Sequence, residues 1–305
     1  MIGSAIWDIR VSIDLFLGGI GIALFLFSVI LSFYNPARYE KLIKISAYLA
    51  PITAGVGLFT LVTELGKPFR MVITYFYVNP QSVTSWGGFI QGAFLAVSAI
   101  YAVMLFLNKT VSSLKVVQLI GSFLAVAVGM YHGLLLTSIS LPLWADGSVA
   151  VLFLVSSLAG GSAFVMMMRS LSTDAGEVSQ GMKEVAAATE GAKVFNFNGI
   201  FFTLITAQLV TTVFWFIAMN RGSRYQLESI QTMLADYGVF FWVLAVAIGI
   251  VVPFAISLFQ LITGSRNTMS KGLSMIVFLA VIAGSFALKY IIIEAGQIQV
   301  PIQLL

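Results

Sequence analysis

Residues 14–33, DLFLGGIGIALFLFSVILSF, are the stretch that decides the fold. They contain one charged residue, Asp14, at the very start. A bilayer core about 30 Å thick needs about 20 consecutive apolar residues in a spanning helix. The run is continuously apolar rather than alternating, so it predicts a transmembrane helix and not a barrel strand. No basic segment precedes it and no cleavage motif closes it, which favours a retained helix over a signal peptide.

Seven more apolar runs follow along the chain. The eight predicted spans are residues 14–33, 45–63, 86–107, 115–137, 149–168, 195–219, 238–262 and 272–292. The composition agrees, because 59% of the residues are hydrophobic and 9% are charged, against about 45–50% and about 25% in soluble proteins. We therefore predict an all-α membrane protein of about eight transmembrane helices.

The basic residues predict the orientation of these spans. The odd-numbered connections carry ten Lys and Arg residues, and the other side carries six. Because cytoplasmic loops are enriched in Lys and Arg, the odd connections are expected inside and both termini outside. The chain is thus predicted to be a multi-pass protein of the cytoplasmic membrane.

The longest connection divides the chain. Residues 169–194 carry apolar side chains at helical spacing among charged ones, which favours a short surface helix on the cytoplasmic side. We predict an N-terminal half, 1–168, that holds the first four-helix bundle and the fifth span, followed by this connector and the C-terminal helices, 195–305.

Residue counts exclude several kinds of function. The chain has no cysteine and one histidine, His132, so it cannot by itself hold a cysteine-ligated iron–sulfur cluster or a bis-histidine haem. We also expect no metal site. The net charge of +4 is small and spread out, so nucleic acid is not an expected partner.

Polar side chains within or next to the predicted spans collect at the outer ends. This set comprises Asp14, Glu64, Lys67, Arg70, Tyr131, His132, Lys289 and Glu294. No acidic residue is expected in the middle of a span, which argues against a carboxylate-based proton pump.

An apolar pocket with a few polar groups at one end suits an amphiphilic ring with a lipid tail. A quinone is such a molecule. Tyr, His and Lys supply hydrogen-bond donors for its oxygens, and His or a carboxylate can carry the protons of its redox reaction.

Five short motifs in this order resemble the NrfD-type family, the family of the polysulfide reductase membrane subunit. They lie at residues 14–19 (DLFLGG), 64–70 (ELGKPFR), 85–87 (SWG), 131–144 (beginning YHGLLL and ending PLW) and 289–297 (KY through GQ). The resemblance implies two four-helix bundles and no cofactor held by this chain. It also implies electron exchange between a menaquinol-type molecule and an iron–sulfur partner subunit, which commonly feeds a molybdopterin catalytic subunit on the outer side.

The resemblance also suggests roles for the polar residues. Tyr131 matches a position where a tyrosine contacts the quinone headgroup, with His132 and Lys289 as further candidates for holding the quinone oxygens. The candidates for proton exchange are Asp14, Glu64 and Glu294. Lys67 and Arg70 are candidates for docking the electron-transfer partner. We expect the quinone site to face the periplasm or cell exterior.

Simpler interpretations of the same residues stay open. His132 can be a hydrogen-bonded packing residue, and Lys289 can extend its ammonium to the membrane surface. Trp86 and Trp144 are expected to be anchors at the membrane interface. Two other functions also stay open: a secondary transporter, and a purely structural membrane anchor.

Overall fold

The computed structural model describes residues 7–64, 81–108, 111–172, 195–263 and 269–298. These residues form nine α-helices and one π-helical segment, and none of them lies in a strand. The helices are α1 (Ile9–Tyr34), α2 (Glu40–Glu64), α3 (Val83–Phe106), α4 (Val111–Ile139), α5 (Ser148–Ser172), α6 (Phe197–Arg221), α7 (Arg224–Val239), α8 (Val252–Ile262) and α9 (Lys271–Gly296), with the π-helical segment at Phe240–Val251.

The predicted all-α fold with eight spans is confirmed. Eight helical stretches in the described ranges are long and apolar enough to cross a membrane. Helix α7, the π-helical segment and α8 follow each other without a break and form the seventh stretch, Arg224–Ile262.

Three helix starts, those of α1, α2 and the seventh stretch, lie five or more residues before the predicted boundaries. Helix α1 begins at Ile9, five residues earlier than predicted, because the Asp8 side chain caps it by accepting a hydrogen bond from the Arg10 amide. The seventh stretch begins at Arg224 instead of 238, where Ser223 and Gln226 form a capping box. Its first turns are not apolar, so hydropathy alone does not detect them.

Helices α1 and α5 lie at the centre of the molecule. In each of them 72% of the most apolar stretch is buried, against 17–56% in the other spans. Helix α1 packs against α2, α4, α5 and α9, whereas α5 packs against α1, α4, α6 and α9. The helices therefore form one group, α1–α4, and a second, α5–α9, that meet along α1 and α5, as expected for two four-helix bundles.

Candidate functional site

Five polar side chains from four helices lie at a similar depth near one end of the bundle. Asp14 is five residues into α1 and Gln91 is eight residues into α3. His132 and Lys289 are each seven residues before the ends of α4 and α9, and Tyr131 adjoins His132. At about 1.5 Å per residue, these positions are about 7–12 Å from helix ends on the same side of the molecule. We call Asp14, Gln91, His132, Tyr131 and Lys289 the outer layer.

Asp14 lies inside its span and not at its end. The apolar run predicted Asp14 at the outer end of the span, but α1 begins five residues earlier, so Asp14 lies more than one turn inside the helix. Asp14 is 2% exposed. A buried ionisable group in a membrane helix costs several kcal/mol, so such residues usually have a function.

Gln91 connects Asp14 to His132. Its Nε2 lies 3.4 Å from Asp14 Oδ2 and 3.2 Å from His132 Nε2. An amide nitrogen can donate two hydrogen bonds, so this geometry makes His132 Nε2 an acceptor and places the proton of a neutral ring on Nδ1. That nitrogen is buried and has no hydrogen-bond partner among the residues that the structure describes.

Two glycines make room for this acid–amide–imidazole group. A Cβ atom on Gly18 would lie 3.1 Å from His132 Cε1, and one on Gly57 would lie 3.1 Å from Asp14 Oδ1. Both distances are shorter than ordinary van der Waals contact. Helices α1, α2 and α4 therefore approach closely at this layer because glycine occupies these positions.

Tyr131 points away from His132. The two ring centroids are 6.3 Å apart, and the Tyr131 ring occupies the space that a side chain at Gly87 would need. The side chain is largely buried, and no hydrogen bond to its hydroxyl appears in the described part of the chain.

Lys289 does not extend to the membrane surface, so that interpretation is wrong. It is fully buried, and its ammonium donates to the Leu15 carbonyl at 2.9 Å and to Ser157 Oγ at 2.8 Å. The ammonium also lies 5.6 Å from the centre of the Phe153 ring. Because Leu15 is in α1 and Ser157 is in α5, Lys289 joins the two bundles.

The space beside Asp14 is small. A cavity lined by Asp14, Gly18, Gln91 and Phe94 leaves about 10 Å³ for the centre of a water molecule. That is room for about one water. Asp14, Gln91 and His132 therefore meet beside this cavity, and the described residues leave no ring-sized pocket next to the carboxylate.

The other two predicted acids lie nearer the membrane surface. Glu64, at the end of α2, accepts a hydrogen bond from the Asp8 amide at 3.0 Å, and Glu294 is partly exposed near the end of α9. Asp8 is paired with Arg10 at this surface. The Arg10 side chain lowers the pKa of the Asp8 carboxyl. Proton-exchange candidates therefore occur at two depths.

The two tryptophans differ. Trp144 is fully buried, donates from Nε1 to the Ile292 carbonyl at 2.7 Å and stacks on Trp7, so its expected role as a surface anchor is wrong. Trp86 is 51% exposed, and its role stays a prediction.

Lys67 and Arg70 lie outside the described residues, as does most of the predicted connector.

Sequence reasoning missed the partners that hold the layer together. Gln91, Ser157 and Gly87 had no assigned role, although a glutamine within an apolar span is itself an uncommon signal. In the described ranges no group of three or more His, Cys, Asp or Glu side chains converges as metal ligands would.

Comparison with known proteins identifies relatives along the whole sequence. The family model described as "Polysulphide reductase, NrfD" matches residues 1–301. One chain of the polysulfide reductase of Wolinella succinogenes is 24% identical over 96% of this chain and 95% of its own length. Protein NrfD of Escherichia coli is 22% identical over 97% of this chain and 96% of its own. One subunit of the selenate reductase of Mesobacillus selenatarsenatis is 22% identical over 89% of this chain and 70% of its own.

Proposed function

The chain belongs to the NrfD family, and we propose that it exchanges electrons between a membrane quinol and an iron–sulfur partner subunit of an oxidoreductase complex. Two of its relatives are named as single components of multi-subunit reductases. Those names support a partner with redox centres and a separate catalytic subunit, of the molybdopterin type that the family resemblance implies. The chain itself supplies the quinol site and the proton path.

One observation carries this proposal: a buried carboxyl, amide and imidazole in contact within a membrane-spanning bundle. Asp14, Gln91 and His132 come from three different helices. Oxidation of one quinol releases two electrons and two protons. The electrons leave to the partner's cluster, and the protons need acceptors that are shielded from lipid.

The small cavity suggests where the ring binds. Since the space beside Asp14 admits about one water, we propose that the quinol ring lies on the Tyr131 side of the layer. The Tyr131 hydroxyl holds one ring oxygen, and a water in the cavity passes the proton to Asp14. Glu64 and Glu294, nearer the surface, then pass it to bulk water.

His132 is the proposed second proton acceptor. Its Nε2 accepts from Gln91 in the present geometry. If that nitrogen binds a proton it becomes a donor, so Gln91 has to turn its amide oxygen toward the ring. Gln91 thus contacts the imidazole through its amide nitrogen when the ring is neutral and through its amide oxygen when the ring is protonated. Lys289 holds α1 against α5 and α9.

The proposed orientation places this layer toward the periplasm or cell exterior. The Lys and Arg distribution supports it, and Lys67 and Arg70 are the proposed docking residues for the iron–sulfur subunit. The electron flow reverses when the catalytic subunit oxidises its substrate.

The test uses the assembled complex with a soluble menaquinol analogue and a matched pair of tyrosines. Tyr131→Phe should lower kcat/KM for quinol about tenfold, the effect of one hydrogen bond worth about 1.4 kcal/mol. Tyr101→Phe is the control, because Tyr101 is a buried tyrosine whose hydroxyl bonds Ser28 and Gln118 elsewhere in the same bundle. If both variants oxidise quinol at the same rate and quinone-site inhibitors do not bind the complex, the proposal is wrong and the chain is a structural anchor. Solute uptake by liposomes containing the chain alone would indicate a transporter.

A further inference from the structure

A second cavity lies at the opposite end of the first bundle from the outer layer. It is about 210 Å³ in volume and lies between the end of α1, the start of α2, the end of α3 and the start of α4. Its lining includes Ser32, Glu40, Lys44 and Gln118. We call this space the inner cavity. Its lining is amphiphilic, since Ile43, Leu105 and Leu114 are apolar.

A glutamine in its wall has one unmatched polar atom. Gln118 is 2% exposed, and its Nε2 donates to Ser32 Oγ at 2.9 Å and to the Tyr101 hydroxyl at 3.2 Å. Its Oε1 is buried and has no partner in the ranges that the structure describes. An unpaired buried carbonyl oxygen is unfavourable, and a ligand hydroxyl would satisfy it.

One wall of the cavity belongs to a segment with a net positive charge. Residues 35–44 carry Arg38, Lys41 and Lys44 against one acid, Glu40, and of these Glu40 and Lys44 line the cavity. Lys44 pairs with Glu40 at 2.7 Å, but both side chains are partly exposed. An exposed pair of this kind contributes little, so Lys44 is available to a stronger anion.

The membrane-facing surface beside the cavity is apolar. Val103 and Phe106 of α3 are 55% and 72% exposed, and Val116 and Leu119 of α4 are 63% and 75% exposed. Acyl chains can lie along this surface while a headgroup enters the cavity. Basic pockets between membrane helices bind anionic headgroups in this way.

We propose that the inner cavity binds one anionic glycerophospholipid with a free headgroup hydroxyl, such as phosphatidylglycerol. Its phosphate pairs with Lys44, and a glycerol hydroxyl donates to Gln118 Oε1. A neutral quinol would satisfy Gln118 but makes no use of the positive charge of residues 35–44, so charge complementarity favours the phospholipid. The site is separate from the outer layer and does not rest on the proposed redox function.

The test compares lipids by native mass spectrometry of the detergent-purified protein. The probes are phosphatidylglycerol, phosphatidylethanol, phosphatidylcholine, a menaquinone and glycerol phosphate. Phosphatidylethanol has the same charge as phosphatidylglycerol but no headgroup hydroxyl. We expect one phosphatidylglycerol per protein molecule, bound about fivefold more tightly than phosphatidylethanol because of one hydrogen bond, and no retention of glycerol phosphate.

Two variants assign the binding to this cavity. Lys44→Gln should weaken phosphatidylglycerol about fivefold, and the effect should fade as salt is raised. Gln118→Leu should abolish the preference over phosphatidylethanol. Lys271→Gln, which changes a lysine at the start of α9 outside this cavity, is the control and should leave binding unchanged. Equal binding of phosphatidylcholine, tighter binding of menaquinone, retention of free glycerol phosphate or an unaffected Lys44→Gln variant would each overturn the proposal.

Discussion

Two polar layers connect the same three helices, α1, α3 and α4, at opposite ends of the first bundle. The outer layer joins Asp14, Gln91 and His132. The inner one joins Ser28 and Ser32 to Tyr101 and Gln118. In both, one glutamine amide donates to side chains of two other helices.

The layers differ in the chemistry of the groups that the glutamine meets. Gln118 meets two hydroxyls. Gln91 meets a carboxyl and an imidazole, side-chain types that serve as general acids and bases in enzymes. Between the layers the Phe25 ring contacts Phe94 and Tyr101 edge-on. The same packing device therefore holds helices together at both ends, and we propose that only the outer layer also moves protons.

The largest effect is expected from removing the acid. Asp14→Asn keeps the shape of the side chain and its contact with Gln91, but it cannot accept a proton. Quinol oxidation by the complex should fall about 100-fold or more, the usual contribution of a general base, while the amount of assembled complex stays normal. Stopped-flow oxidation of a menaquinol analogue measures this. Wild-type kinetics in Asp14→Asn would remove the carboxyl from the proton path.

The two glutamines give the next test. Gln91→Leu leaves Asp14 and His132 without their common partner and should lower kcat about tenfold, because hydrogen bonds to charged groups contribute about 1.5–3 kcal/mol. Gln118→Leu should lower stability by about 0.6–1.7 kcal/mol, as interhelical hydrogen bonds in membranes do, and leave quinol kinetics unchanged.

Unfolding in mixed micelles and quinol kinetics together separate these outcomes. If both glutamine variants lose activity in proportion to their loss of stability, the proposed difference between the layers is wrong.

A matched pair of glycines tests packing at the outer layer and in the apolar region between the two layers. A Cβ on Gly87 would overlap the Tyr131 ring, and a Cβ on Gly121 would overlap the Phe25 ring. Each change to alanine should lower stability by about 1–3 kcal/mol through overpacking. We expect Gly87→Ala also to lower kcat/KM about fivefold by displacing Tyr131, whereas Gly121→Ala should keep normal kinetics once folded. Thermal unfolding and quinol titrations on the same preparations provide the measurement.

The smallest effect concerns an acid at the start of α1, outside the layer. Asp8→Ala removes the N-terminal cap of α1 and should lower stability by about 1 kcal/mol with unchanged quinol kinetics. The Arg10 side chain lowers the pKa of Asp8, so its stabilising effect is present above the usual pKa range of aspartate and disappears as pH falls through the lowered value. Unfolding midpoints from about pH 3 to about pH 7, a window around the ordinary aspartate pKa, check this. A large loss of quinol oxidation in Asp8→Ala would contradict this prediction, because it would mean that an acid outside the outer layer also takes part in the reaction.

Hydropathy was enough to predict which segments span the membrane but not where each helix starts. Residues 9–13 and 224–237 are helical because Asp8 and the box of Ser223 and Gln226 cap them. The capped turn at residues 9–13 places Asp14 inside α1 and not at its end. The same error in helix length affected Lys289. The predicted span ended at residue 292, close enough for the lysine to reach water, whereas α9 continues to Gly296.

The sequence alone determined that lipid surrounds the helices, how many spans there are and which family the chain belongs to. Each follows from composition, length and order along one chain. Only the tertiary structure decided which groups meet: Gln91 with Asp14 and His132, and Lys289 with Leu15 and Ser157. The physical reason is that neighbours on a helix point in different directions, so residues as far apart as Leu15 and Lys289, 274 positions along the chain, become partners only when glycines let the helices approach.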